Sequence, residues 1–281
     1  MRAAAIFGPA ASKKDLAAFH AAGVEFGDAE TIAGSDAALI FGGDGTVHRF
    51  LAELLEHKVP LLAVPTGSGN DFYREIGTGT RALATEAWRG FLAGKPPRAI
   101  DLGVITDAQG ARIVYCCVAG LGLDSDANLR ANAMPSWLKR HGGYVVAGLQ
   151  SVFAYKPQRV RVTALGPTGD DNTIDARATM VAIGNAPAYG DGLHITPRAV
   201  FDDGKLDVCF VRALSKSRIL RVFPRIFRGT HLELKEVEYF QTGQLRIETE
   251  TPMRIHADGE HACYTPVEIS VLPKALQVIL P

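Results

Sequence analysis

Two short glycine-rich stretches carry the residues best suited to hold phosphate. Gly42-Gly43-Asp44-Gly45-Thr46 follows the apolar run Ala37 to Phe41. It precedes Val47 to Leu55, where apolar residues recur at helical spacing. This is a glycine turn between a buried strand and a helix. Glycines there permit positive φ and let a ligand reach the backbone. Thr46 stands where it can cap the helix, whose N-terminal N–H groups favour an anion. Asp44 suits a bare phosphate poorly and fits better with a metal ion between the two. The second stretch, Thr66-Gly67-Ser68-Gly69-Asn70-Asp71, closes the strand-like Pro60 to Val64. Either stretch alone reads as an ordinary turn, but two of them at strand ends can cradle a polyphosphate.

Acidic pairs near glycine form a second group. Asp258 and Glu260 flank Gly259. Two apart on a strand, they share a face, and a carboxylate beside an alcohol can act as general base. Asp-Gly is equally the strongest short hairpin signal. Asp202-Asp203-Gly204 has the same plain reading as a turn.

The elements that must position these residues divide the chain. Ala3 to Phe7, Leu39 to Phe41 and Pro60 to Val64 read as strands; Lys13 to Ala22, the segment after Thr46, and Thr80 to Ala93 with Trp88 read as helices. This alternation predicts an α/β domain with a parallel sheet over residues 1–103, with ligands at the carboxyl ends of its strands. Beyond Pro96-Pro97 the texture is strand-rich, including Ala99 to Val104, Arg112 to Val118, Arg159 to Thr163, Ala178 to Ile183, Lys205 to Val211, Glu236 to Phe240, Gln244 to Thr249 and Val267 to Ile279. It predicts a β-rich, sandwich-like domain over 104–281, with one helical insertion from Pro135 to Tyr155.

Composition narrows the function classes. The 281 residues carry 30 basic and 30 acidic side chains, a balance that does not suggest nucleic acid. No apolar run approaches a membrane span of about 20 residues, and Met1 to Phe7 reads as a first strand, not a signal peptide. Cys116, Cys117, Cys209 and Cys263 show no metal spacing and read as reduced core thiols of a cytoplasmic protein.

Taken together, these stretches resemble the diacylglycerol kinase catalytic superfamily, which includes sphingosine and ceramide kinases. The resemblance covers nearly the whole chain. It rests on Gly42 to Thr46, Pro65 to Phe72, Ile100-Asp101-Leu102-Gly103, Ala119 to Asp124, Gly184 to Gly192, Pro197 to Val208 and Asp258-Gly259-Glu260, in that order. It implies the two-domain fold shared by NAD kinases and diacylglycerol kinases, with ATP in the cleft between the domains. Asp44 and the loop Thr66 to Asn70 would hold nucleotide phosphates and Mg2+, Asp258 would be the base, and Glu260 would join the magnesium network. Asp71 and Asp101 would support it, and a structural magnesium site would use Asp203 with the carbonyls of Val200 and Lys205. Two departures stand out: Gly8 replaces the Asn that family members usually carry, with Ser12 or Lys13 as substitutes for its contact, and Asp191 lies where glycine is common.

The resemblance implies an ATP- and Mg2+-dependent phosphotransferase acting on an alcohol group of a lipid at a membrane surface. A binding protein without turnover, and a kinase for a soluble acceptor, are the alternatives. Between Ser217 and Gly229, Arg218, Arg221, Arg225 and Arg228 fall on one side of a helical wheel. Ile219, Val222, Phe223, Ile226 and Phe227 fall on the other, with Pro224 as an interruption. This side either meets an anionic membrane or packs on the second domain. Trp137 to Arg140 is a smaller anchor of the same kind. The acceptor and the oligomeric state stay open, with a homodimer among the options.

Overall fold

The computed structural model describes residues 1–67, 70–123, 125–126, 129, 150–154, 156–166, 173–190 and 192–281. The chain forms two units, Met1–Leu102 with Pro273–Pro281, and Gly103–Leu272. The return of the last residues to the first unit is not visible in sequence, because that strand reads as one more β-segment of the strand-rich half.

The first unit is built on parallel strands β1 (Arg2–Phe7), β2 (Glu25–Gly27), β3 (Ala37–Gly42) and β4 (Leu61–Pro65), in the order β2-β1-β3-β4. Every residue of β3 is buried, as expected of a strand covered on both faces. Helix α1 (Asp44–His57) buries Val47, Leu51 and Leu54, and α3 (Arg81–Leu92) buries Trp88, whose indole N–H donates to Phe19 O at 2.7 Å. Between them lies the single turn α2 (Asp71–Glu75). The helix expected from Lys13 is a 3₁₀ turn over Lys13–Phe19, opened by a reciprocal Ser12–Asp15 capping box. Ser12 is thereby committed to its own helix.

Strand β5 (Arg98–Asp107) runs on into the second unit, where it forms a hairpin with β6 (Arg112–Tyr115). There β7 (Val118–Gly122), β8 (Gln158–Ala164), β9 (Thr173–Gly184), β10 (Leu206–Arg212), β11 (Val237–Thr242), β12 (Gln244–Thr249), β13 (Arg254–Ala257), β14 (Glu260–Tyr264) and β15 (Val267–Val278) pair antiparallel. Alternation is clearest on β8, where Val160 and Val162 point into the core while Arg159 and Arg161 pair outward with Asp175. The core gathers Leu121, Val181, Phe210, Leu245, Ile255 and Ile269. The end of β15 pairs parallel with β4 through Val278 and Leu61, within the first unit.

Helix α4 (Lys216–Val222) passes into a 3₁₀ turn over Phe223–Arg228, where Pro224 removes an amide donor. The insertion expected over Pro135 to Tyr155 lies outside the described residues except for 150–154, which are helical. Trp137 to Arg140, Asp124 and Asp191 also lie outside them.

Candidate functional site

In the first unit the two glycine loops meet backbone to backbone. Thr66 N and Gly67 N both donate to Gly42 O, at 2.9 and 3.3 Å, and a Cβ on Gly67 would stand 3.3 Å from Gly43 Cα. None of Gly42, Gly43, Gly45 or Gly67 has positive φ. The reason for glycine is space: a Cβ on Gly42 would lie 2.5 Å from Thr46 Oγ1. Nor does Thr46 cap α1. Gly43 is the cap residue, and Thr46 sits one turn in, packed against the glycines.

Asp44 has a structural task that its sequence position does not reveal. Its carboxylate accepts from Asp71 N at 2.9 Å and Phe72 N at 3.2 Å, so it satisfies the start of α2 from another element. Asp71 is itself buried and paired with Arg74. Asn70 donates to Gly67 O at 2.8 Å. The Asn70 Oδ1 and Thr66 Oγ1 atoms are buried with no hydrogen-bond partner among the described residues. One is an acceptor and the other a hydroxyl, both beside the N-terminus of α1. The hydroxyl can donate to a phosphate oxygen, and the amide oxygen suits a hydrated divalent cation. Ser68 and Gly69 lie outside the described residues. Asp101, also buried, accepts from Lys274 N at 2.7 Å and so ties β5 to the returning strand β15.

In the second unit Asp258 and Gly259 form the two-residue turn between β13 and β14, with φ of 50° and 84°. Consecutive left-handed residues make the type I′ hairpin that Asp-Gly favours. The Asp258 side chain turns back onto the chain: Cys116 N donates to Oδ2 at 2.8 Å, and Cys117 N and Val118 N donate to Oδ1 at 2.8 and 3.3 Å. Asp258 N completes the grip by donating to Val118 O at 3.0 Å. These bonds break the strand that the apolar run Arg112 to Val118 suggests, so β6 ends at Tyr115 and β7 begins at Val118. The two cysteine carbonyls are bound from the other side by Asn185 Nδ2, Asn185 N and Ala186 N.

Buried polar side chains line the inner side of this hairpin. Tyr115 is fully buried with its hydroxyl unpartnered among the described residues. Burial first, and the Asp258 charge second, hold its pKa well above the usual phenol range. On β13 the buried His256 shares a 2.6 Å hydrogen bond with Ser125, and burial lowers its pKa to about 4, with His261 and Arg254 adding repulsion. Glu260 is exposed at the head of β14. In the turn before β10, Val200 and Asp203 are exposed; Asp203 accepts from Lys205 N at 3.0 Å and from the Gln241 amide.

Comparison with known proteins gives the arrangement a family. Residues 15–105 match the diacylglycerol kinase catalytic domain, and residues 117–280 match the YegS C-terminal NAD kinase beta sandwich-like domain. The diacylglycerol kinase of Mycobacterium tuberculosis (strain ATCC 25618 / H37Rv) is 36% identical over 254 residues, covering 88% of this chain and 78% of that protein. The chain belongs to the diacylglycerol kinase catalytic superfamily. The diacylglycerol kinase of Bacillus subtilis (strain 168) is 24% identical over 251 residues, with the same coverage of 88% and 78%. A crystal structure of a diacylglycerol kinase from Bacillus anthracis str. Sterne shares the fold, with a TM-score of 0.73 at 20% identity over 100% of this chain and 97% of that one. This is a lipid kinase family, and no helix among the described residues is long and apolar enough to cross a membrane.

Two measurements follow from this geometry. A Cβ at Gly8 would stand 2.6 Å from Thr46 Oγ1 and 3.3 Å from Gly42 Cα. Gly8→Asn is therefore expected to cost about 1–3 kcal/mol by overpacking, and Thr46→Ala in the same chain to restore part of it; urea unfolding of the two variants reads both effects. His256 sets the second. Its folded pKa lies below the unfolded value of about 6.5, so the unfolded chain binds more protons between the two. The stability it contributes is present above about pH 6.5 and is lost as pH falls towards 4. His256→Gln should flatten the fall in urea midpoint between pH 7 and pH 4.5 relative to the unsubstituted chain.

Proposed function

We propose that the protein is an ATP- and Mg2+-dependent kinase that transfers the γ-phosphoryl group to the hydroxyl of a lipid of the diacylglycerol type. What supports this reading most is the match of residues 15–105 to the diacylglycerol kinase catalytic domain, with Asp258 held in one orientation at its hairpin turn by three backbone N–H groups. Phosphoryl transfer asks the protein for positioning, charge neutralisation and a base beside the acceptor hydroxyl. Asp258 is the base in this proposal and takes the proton of the acceptor. Thr66 and the N-terminus of α1 hold the phosphates, with Asp44 and Asn70 reaching them through the metal ion. Asp44 and Glu260 would be the acidic residues that hold Mg2+, which would supply charge neutralisation on the transferred group, while Asp71 fixes the second glycine loop and Asp101 ties β5 to β15. Asp203, with the carbonyls of Val200 and Lys205, is the proposed place for a structural cation.

The lipid side of the proposal draws on α4 and the turn after it. Ile219 and Val222 are buried, so part of the apolar side packs on the protein. Leu220 and Phe227 are exposed beside Arg221 and Arg228, while Arg218 and Arg225 pair with Glu236 and Glu233. Exposed apolar side chains rimmed by arginine suit an anionic bilayer surface.

The test is transfer of label from [γ-32P]ATP to a panel of lipids in mixed micelles and in anionic vesicles, with and without EDTA. The expected result is one labelled lipid class, abolished by EDTA, with a slower rate on vesicles for Arg221→Glu/Arg228→Glu. Transfer to a soluble acceptor in the absence of lipid, or ATP binding with no labelled product, would sink the lipid-kinase reading.

A further inference from the structure

The strand break at Cys116-Cys117 leaves two neighbouring thiols against the Asp258 carboxylate. The sulphurs lie 3.9 Å apart, and Cys116 Sγ is 3.3 Å from Asp258 Oδ2. One ligand atom from each of the three residues falls within 4.8 Å of the others, and among the described residues these are the only three His, Cys, Asp or Glu side chains so grouped. The spacing matches a specific chemistry. Two Zn–S bonds of about 2.3 Å at a tetrahedral angle hold their sulphurs about 3.8 Å apart, and one Zn–S with one Zn–O bond holds sulphur and oxygen about 3.5 Å apart.

We propose that Cys116, Cys117 and Asp258 bind one soft divalent cation of the zinc class, and that its binding withdraws Asp258 from phosphoryl transfer. The second half rests on the reading of Asp258 as base; the first does not. Two thiolates and a carboxylate make three ligands of a tetrahedral site, with the fourth position left to water. The same set suits Mg2+ badly, since that ion takes six oxygens in octahedral geometry. The cation that inhibits and the cation that serves the kinase are thus distinguished by ligand softness. The carboxylate is preorganised, because Cys117 N and Val118 N hold Oδ1 while Oδ2, held by Cys116 N at 2.8 Å, lies beside Cys116 Sγ with a second lone pair for the ion. Cys116 and Cys117 are buried, and the partly exposed Asp258 is the side from which the ion enters. As the two Zn–S bonds form, each thiol gives its proton to buffer, so two protons are released per ion. Cys209 and Cys263 lie apart from the group and serve as thiol controls.

The experiment is titration of the reduced, chelator-treated full chain with ZnCl2 in millimolar MgCl2, by calorimetry in buffers of different ionisation enthalpy, with phosphoryl transfer followed alongside. One Zn2+ per chain with release of two protons is expected. Affinity should fall about 100-fold in Cys116→Ser/Cys117→Ser and stay unchanged in Cys209→Ser and Cys263→Ser. Circular dichroism checks that each variant folds; if the double variant does not, Cys117→Ala alone, which keeps its backbone N–H on Asp258, carries the comparison. In the unsubstituted chain, Cd2+ should also raise a thiolate charge-transfer band in the near ultraviolet. No stoichiometric Zn2+ binding in the unsubstituted chain, or binding unchanged without Cys116 and Cys117, overturns the site. Stoichiometric binding with those signatures but undiminished transfer supports the site and overturns the role of Asp258 as base.

Discussion

One carboxylate organises the strand-rich unit. Asp258 takes the backbone N–H groups of three consecutive residues that lie about 140 positions earlier in the chain. Those N–H groups would otherwise pair within a sheet or remain buried and unsatisfied. Hydrogen bonds to a charged acceptor contribute about 1.5–3 kcal/mol each, against about 1–2 kcal/mol for holding an L-residue in the left-handed region. The balance favours the hairpin conformation even before the β13–β14 ladder is counted. Asn185 completes the arrangement by binding the carbonyls of the same two cysteines, and Gly184 beside it leaves room for Thr196, whose Oγ1 would lie 2.0 Å from a Cβ there.

Asp44 does comparable work in the α/β unit. It binds the backbone at the head of α2 and so fixes the second glycine loop relative to the first. In both units, then, a carboxylate of a glycine motif holds backbone from a distant element. Each places a charged group in a fixed orientation just past the end of a strand. The glycines around Asp44 are demanded by crowding, since Gly42 and Gly8 both abut Thr46, whereas Gly259 beside Asp258 is demanded by its φ of 84°.

The sequence made some of this legible and concealed the rest, for physical reasons. The alternating strands and helices of the first unit carry their own periodicity, and Trp88, Thr80 and Gly94 stand as the helix core, cap and stop that their chemistry suggests. Asp258-Gly259 reads from local chemistry as a hairpin, and the family resemblance implies roles for Asp258 and Glu260 on its two sides; the turn exists, and its aspartate also grips the backbone. Arg112 to Val118 reads as one strand because all its side chains suit one. Nothing local marks the break, which a distant carboxylate imposes. The three-residue β2 is too short to show a period. The cysteine pair has no metal spacing by motif, since its third neighbour comes from another hairpin.

The central claim is that the clamped Asp258 carboxylate is the base of phosphoryl transfer and not merely a backbone tie. Single-turnover transfer from ATP to the accepted lipid, measured for Asp258→Asn beside ATP affinity and the unfolding midpoint, tests it most directly. Asn keeps the left-handed turn and one accepting oxygen. The account predicts a fall of about 10²–10⁴ in the transfer rate of the folded variant, with ATP affinity unchanged and a lowered unfolding midpoint, because one amide oxygen replaces the charged acceptor of three N–H groups. Transfer at the unsubstituted rate, or a loss of transfer that merely follows a loss of folded protein, would contradict it.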